Sequence, residues 1–185
     1  MHCFRYSVKV LNGSASDAIL ATVKKESDNK ANREVMKMNI EQLITEELII
    51  FDETIRSKSS LFDCLGRRLE ASGRVKNSKK IIKDFLKREN ETSTGIEDGF
   101  GIPHAKSKYV LEPTLCFIHS GRITDYVGMD EQPIECVFAI AVPKKSADEH
   151  LEILSSLSRK LIDPVFRQQL KEAVTAAEIL TCLTE

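Results

Sequence analysis

Ile134-Glu135-Cys136-Val137-Phe138-Ala139-Ile140-Ala141-Val142 is an apolar run closed by Pro143. Its length and its lack of strict alternation read as a strand buried on both faces. Ser146-Ala147-Asp148 follows and opens a helix, with Leu151, Leu154, Leu157 and Leu161 expected inward. A doubly buried strand running into an amphipathic helix needs a sheet with layers on it, and the flanking sequence supplies them. Thr114 to His119 reads as another strand, and Leu48-Ile49-Ile50-Phe51 as a short strand ended by Asp52. Ser59 or Ser60 caps a helix through Leu61, Phe62, Leu65 and Leu69 that stops at Gly73. Ser78 caps a second, with Ile81, Ile82, Phe85 and Leu86 on its inner face and its end near Arg88-Glu89-Asn90. Asp163-Pro164 starts a short helix, and Ala176 to Leu183 forms a last one. Helices and strands in turn predict an α/β sandwich around one sheet.

The chain has 185 residues, 42% of them hydrophobic and 30% charged, which is a globular balance. A domain of this size buries roughly two-thirds of its unfolded surface and needs no disulfide or metal staple. The formal net charge of -1 gives no global basic field for nucleic acid. Residues 1–38 differ from the rest: seven Lys/Arg and four Asp/Glu give a local balance of +3, which leaves -4 for residues 39–185. With the polar, aperiodic stretch Lys24 to Lys30, they read as a flexible N-terminal extension before a single domain at 39–185. The five cysteines are widely spaced, with no CxxC or Cys/His zinc pattern, so reduced thiols in a cytoplasmic protein are expected. No apolar run approaches the ~20 residues of a membrane span, and no secretory signal is evident.

The loop from Glu91 to His104 holds the residues with chemistry. Gly99-Phe100-Gly101-Ile102-Pro103-His104 constrains the backbone tightly just before an imidazole. That suits a nucleophile presented in one orientation, though a plain loop histidine has the same appearance. His150 stands in the first turn of its helix beside Asp148 and Glu149, where acidic neighbours favour a protonated surface ring. His119 reads as a structural histidine and His2 falls in the extension. A metal site from His104 and His150 lacks a third ligand at recognisable spacing. Arg88 is either a favourable charge at a helix C-terminus or a phosphate ligand. Neither GxxxxGK[ST] nor GxGxxG occurs, so no nucleotide loop is present.

Taken together, Arg88-Glu89-Asn90-Glu91-Thr92-Ser93-Thr94-Gly95-Ile96-Glu97-Asp98-Gly99-Phe100-Gly101-Ile102-Pro103-His104-Ala105 resembles the active-site signature of the enzyme IIA domains of the bacterial phosphotransferase system (PTS), fructose–mannitol type (type 2). Ala141-Val142-Pro143 with Glu149-His150-Leu151 resembles the segment around the family's second histidine, and the likeness covers residues 39–185. Three positions depart from the usual pattern: Glu97 stands where glycine is common, Phe100 where a smaller aliphatic is, and Gly101 where alanine is.

The resemblance implies a mixed β-sheet flanked by helices. It implies that His104 accepts a phosphoryl group from the phosphocarrier HPr and passes it to a cysteine of enzyme IIB. The membrane enzyme IIC is then an indirect partner, through which the sugar crosses. His150 is implied as a supporting hydrogen-bond donor, Arg88 as the charge stabiliser and Thr94 as a phosphate-binding hydroxyl. No cofactor, metal, nucleic acid or direct membrane insertion is implied. Two protein partners reaching one histidine need an apolar patch, for which Phe100, Ile102 and Pro103 are the candidates. The sugar reads as fructose-like, and mannitol, galactitol and related polyols stay open. A regulatory relative, whose phosphorylation state controls other proteins, uses the same histidine and stays open. A structural domain with no phosphorylation is the remaining alternative.

Overall fold

The computed structural model describes residues 39–184; the expected extension lies outside the described residues. Two short 3₁₀ turns, Ile40–Leu43 and Glu46–Leu48, lead into strand β1 (Ile49–Asp52). Helices α1 (Lys58–Ala71) and α2 (Ser78–Glu91) follow. Then come β2 (Phe100–Gly101), β3 (His104–Ser107), β4 (Thr114–Val127) and β5 (Pro133–Pro143). Helices α3 (Ala147–Leu161), α4 (Pro164–Glu172) and α5 (Ala176–Thr184) complete the domain.

One mixed sheet runs in the order β1-β4-β5-β2, with β3 also on β5. β1 is parallel to β4, β4 antiparallel to β5, and β2 and β3 parallel to β5. From Leu115 to Ile118 and from Cys136 to Val142 every side chain is buried. Successive strand residues point to opposite faces, so both faces of the sheet are covered by helices, as expected for an unbroken apolar run.

Several local expectations shift. The N-cap of α1 is Ser57, not Ser59 or Ser60: Ser57 Oγ accepts from Ser60 N–H at 3.1 Å, and the Ser60 hydroxyl reaches back to Ser57 N–H. Asn77, not Ser78, caps α2, while Ser78 donates to Glu70 at 2.6 Å. Gly73 ends α1 with φ of 71°, a backbone that disfavours a side chain. β4 continues well past His119, because register irregularities after that residue let polar Arg122, Thr124 and Asp125 alternate with buried Ile123 and Tyr126.

In α3 the inward positions are His150, Ile153, Leu157 and Leu161, whereas Leu151 is 68% exposed. The helical step of 100° decides this, since a face set by Ile153 and Leu157 takes residue 150 and turns 151 outward. A histidine therefore occupies the place expected for a leucine. The apolar patch also fails as expected. Phe100, Ile102 and Pro103 are all buried, because they form and adjoin β2 against β5.

The helical pair α1/α2 is tied by Phe62 and Phe85, fully buried and stacked at 5.9 Å. Phe85→Ala is expected to cost about 3–5 kcal/mol, read as a lower denaturation midpoint at unchanged m-value.

Candidate active site

α2 and β3 converge on an open cleft of about 600 Å³. His104 is the first residue of β3, paired in register with Ile140, and its ring is half-buried. Nδ1 lies 2.9 Å from the Ile102 carbonyl, which only accepts, so Nδ1 carries the proton. Nε2 then holds the lone pair, and Arg88 Nε donates to it at 2.9 Å. Arg88 is steadied by a second bond, Nη1 to the Thr92 carbonyl at 2.9 Å. Burial holds the His104 ring below the usual histidine range; the Ile102 bond opposes this and Arg88 adds to it. The ring is thus neutral with its nucleophilic nitrogen turned to a guanidinium.

His150 packs beside it, ring centroids 5.0 Å apart. The expectation of a protonated surface ring is overturned: His150 is 9% exposed and its pKa is pushed down to about 4, first by burial and then by His104, Lys106 and Arg88. Its Nε2 is buried with no hydrogen-bond partner among the described residues. The unfolded ring binds a proton near pH 6.5, before the folded one does, so stability falls as pH drops from about 6.5 towards 4. Thermal unfolding of wild type and His150→Gln between pH 7 and 4.5 tests this, and the variant is expected to lose less.

Thr94 is not at the cleft surface. It is 7% exposed, and its hydroxyl lies 2.5 Å from Glu89 Oε2 and 2.7 Å from Tyr126 Oη. The structure brings His104, His150 and Arg88 together at the cleft and sets Thr94 beneath its surface. The sequence analysis missed Glu89 and Tyr126. Glu89 continues the inner stripe Ile81–Phe85–Glu89 at a spacing of four, so a carboxylate on an apolar face was the signal. Lys106, Lys108 and Lys144 add positive charge to the cleft. Asp98, at φ of 56°, ties the loop to α4 through Arg167 at 2.9 Å and Lys171 at 2.5 Å. His119 sits elsewhere, paired with Cys136 in register and with its ring 5.9 Å from Phe51. Among the described residues no three His, Cys, Asp or Glu side chains form a metal ligand set, and no helix is long and apolar enough to cross a membrane.

A mixed five-stranded sheet presents a neutral histidine, backed by an arginine, at the head of β3 on an open cleft. Residues 42–185 match the family described as phosphoenolpyruvate-dependent sugar phosphotransferase system, EIIA 2, and the chain belongs to that family, a phosphotransferase component of the sugar PTS. It is 36% identical over 139 residues to the PTS system fructose-specific EIIA component of Haloferax volcanii, covering 75% of this chain and 90% of that one. It is 33% identical over 148 residues to the PTS system fructose-specific EIIABC component of Bacillus subtilis, covering 80% of this chain but 23% of that longer protein. Among solved structures, the nitrogen regulatory protein IIA-Ntr from Neisseria meningitidis superposes with a TM-score of 0.72 at 29% identity, over 78% of this chain and 98% of that one. Enzyme IIA mannitol from Escherichia coli, in its complex with phosphorylated enzyme IIB mannitol, shares the fold with a TM-score of 0.64 at 21% identity, over 76% and 96%.

Proposed function

We propose that this domain, residues 39–185, accepts a phosphoryl group from phospho-HPr on His104 Nε2 and delivers it to a cysteine of enzyme IIB. Residues 1–38 are then an extension outside the carrier. The observation that carries this reading is the ring's fixed polarity: proton on Nδ1 at Ile102, lone pair on Nε2 at Arg88. The Nε2 lone pair attacks phosphorus in line, a P–N bond forms, and the bond to the donor histidine breaks. Nδ1 keeps its proton, so positive charge arises on the ring and is held by the Ile102 carbonyl. Arg88 leaves Nε2 and takes the phosphoryl oxygens, helped by the cleft lysines. His150 Nε2, unpartnered beside this point, suits a hydrogen bond to the same oxygens. Transfer onward to the IIB thiolate reverses these steps.

The 36% identity to a fructose-specific EIIA favours a fructose-like sugar, with the carrier working in the cytoplasm. The IIA-Ntr likeness supports a second, regulatory reading with the same chemistry. Incubation with phosphoenolpyruvate, enzyme I and HPr is expected to add one acid-labile phosphoryl group, located by peptide mass mapping on the segment holding His104. No mass gain rejects both readings. Sugar phosphorylation after a fructose IIB/IIC pair is added selects transport; its absence with intact HPr transfer selects regulation.

A further inference from the structure

The C-terminal end of α2 reaches both nitrogens of His104, one of them through a buried relay. Arg88 meets Nε2 directly. The next residue, Glu89, is 5% exposed, and its Oε2 accepts from Thr94 N–H at 3.1 Å and from Thr94 Oγ1 at 2.5 Å. Thr94 in turn accepts through its carbonyl from Ile102 N–H at 2.9 Å. The Ile102 carbonyl is the acceptor for His104 Nδ1–H. Lys58 approaches the other Glu89 oxygen at 3.4 Å and lies over the Tyr126 ring at 5.3 Å, which balances the buried charge. Gly101 makes room for this arrangement: a Cβ there would stand 2.6 Å from Tyr126 Oη, so a side chain at 101 would displace the tyrosine hydroxyl.

We propose that Thr94, clamped by Glu89 and Tyr126, is a positioning residue that fixes the Ile102 carbonyl and so locks His104 with Nε2 as the free nitrogen. The proposal rests on His104 Nε2 being the phosphoacceptor. Without the clamp the loop carrying Ile102 loosens, the Nδ1 proton loses its fixed acceptor, and the ring exchanges between tautomers. A neutral ring with the proton on Nε2 cannot attack from that atom, so the reactive fraction falls.

The test uses the full chain with ring-15N histidine. Wild type is expected to show one tautomer at His104, with Nδ1 protonated. Thr94→Val is expected to show tautomer averaging and about tenfold slower phosphorylation by phospho-HPr, as misplacement of a reacting group predicts. Thr94→Ser is expected to restore both, which a loss of packing alone would not do. A single Nδ1–H tautomer in Thr94→Val, with transfer within about twofold of wild type, overturns the proposal. Should Thr94→Val fail to fold, Tyr126→Phe removes one hydroxyl only. It is expected to shift tautomer and rate in the same direction, and no change in either overturns the proposal. If wild type takes up no phosphoryl group on His104, the functional reading fails instead, while the tautomer signal still decides the clamp.

Discussion

His104→Ala is expected to take up no phosphoryl group from phospho-HPr, at full occupancy of the donor and over hours. The loss is complete because no other group in the described residues is prepared for the role. His150 is nearest, but its Nε2 is buried and no guanidinium stands against it as Arg88 stands against His104. His119 packs by Phe51, away from the cleft. The buried thiols of Cys116 and Cys136 are pushed up by burial, far from the thiolate that would attack. The substitution is mild for the fold: it frees Arg88 Nε at a half-exposed site, and Arg88 still donates to the Thr92 carbonyl. Intact mass with a matched melting curve checks both halves. Phosphorylation that persists in the variant assigns the acceptor elsewhere, and His150→Ala is then the next protein to make.

Arg88→Ala is expected to slow phosphoryl transfer by about 10²–10³, the usual cost of removing one preorganised donor aimed at developing negative charge. In the proposed transfer the guanidinium passes from Nε2 to the phosphoryl oxygens, so its loss is expected to fall on the transition state more than on the resting fold. A second consequence has a definite sign. The Arg88 charge lowers the His104 pKa, so its removal raises it. More of the ring is then protonated at mildly acidic pH, and the acid limb of the rate profile moves upward. Arg88→Lys keeps the positive charge, and with it the position of that limb. It recovers only part of the rate, because an ammonium lacks the planar fork that spans two oxygens. Rapid-quench transfer measured from pH 5.5 to 8 separates these effects. A rate for Arg88→Ala within about threefold of wild type removes Arg88 from the transition state.

Both predictions concern residues that stood out before any coordinates did, and the reasons are instructive. The residues around His104 and Arg88 left bland readings open, a plain loop histidine and a helix-end charge, and the family resemblance of residues 88–105 is what singled both out. The strand Ile134–Val142 was equally plain, since a run that is apolar at every position must be covered on both sides. The boundary errors have local causes too. Ser57 lies two or three residues, and Asn77 one residue, ahead of the expected cap, and neighbouring serines carry the same propensity. His150 shows a different kind of failure. Its acidic neighbours are next to it in sequence but not against its ring, and burial outweighs them.

The amino-acid sequence by itself determined the α/β class and the doubly buried central strand, because periodicity and helix punctuation act over a few residues, while His104 and Arg88 stood out through the family resemblance. Only the tertiary structure decided which way α3 is rotated, and so whether His150 or Leu151 faces the site. It alone decided that Thr94 belongs to a buried clamp rather than to the cleft. The second outcome depends on Thr94 bridging Glu89 of α2 and Tyr126 of β4, residues far apart in the chain. Such a meeting is set by how helices settle on the sheet, where burial and hydrogen-bond satisfaction outweigh local preference.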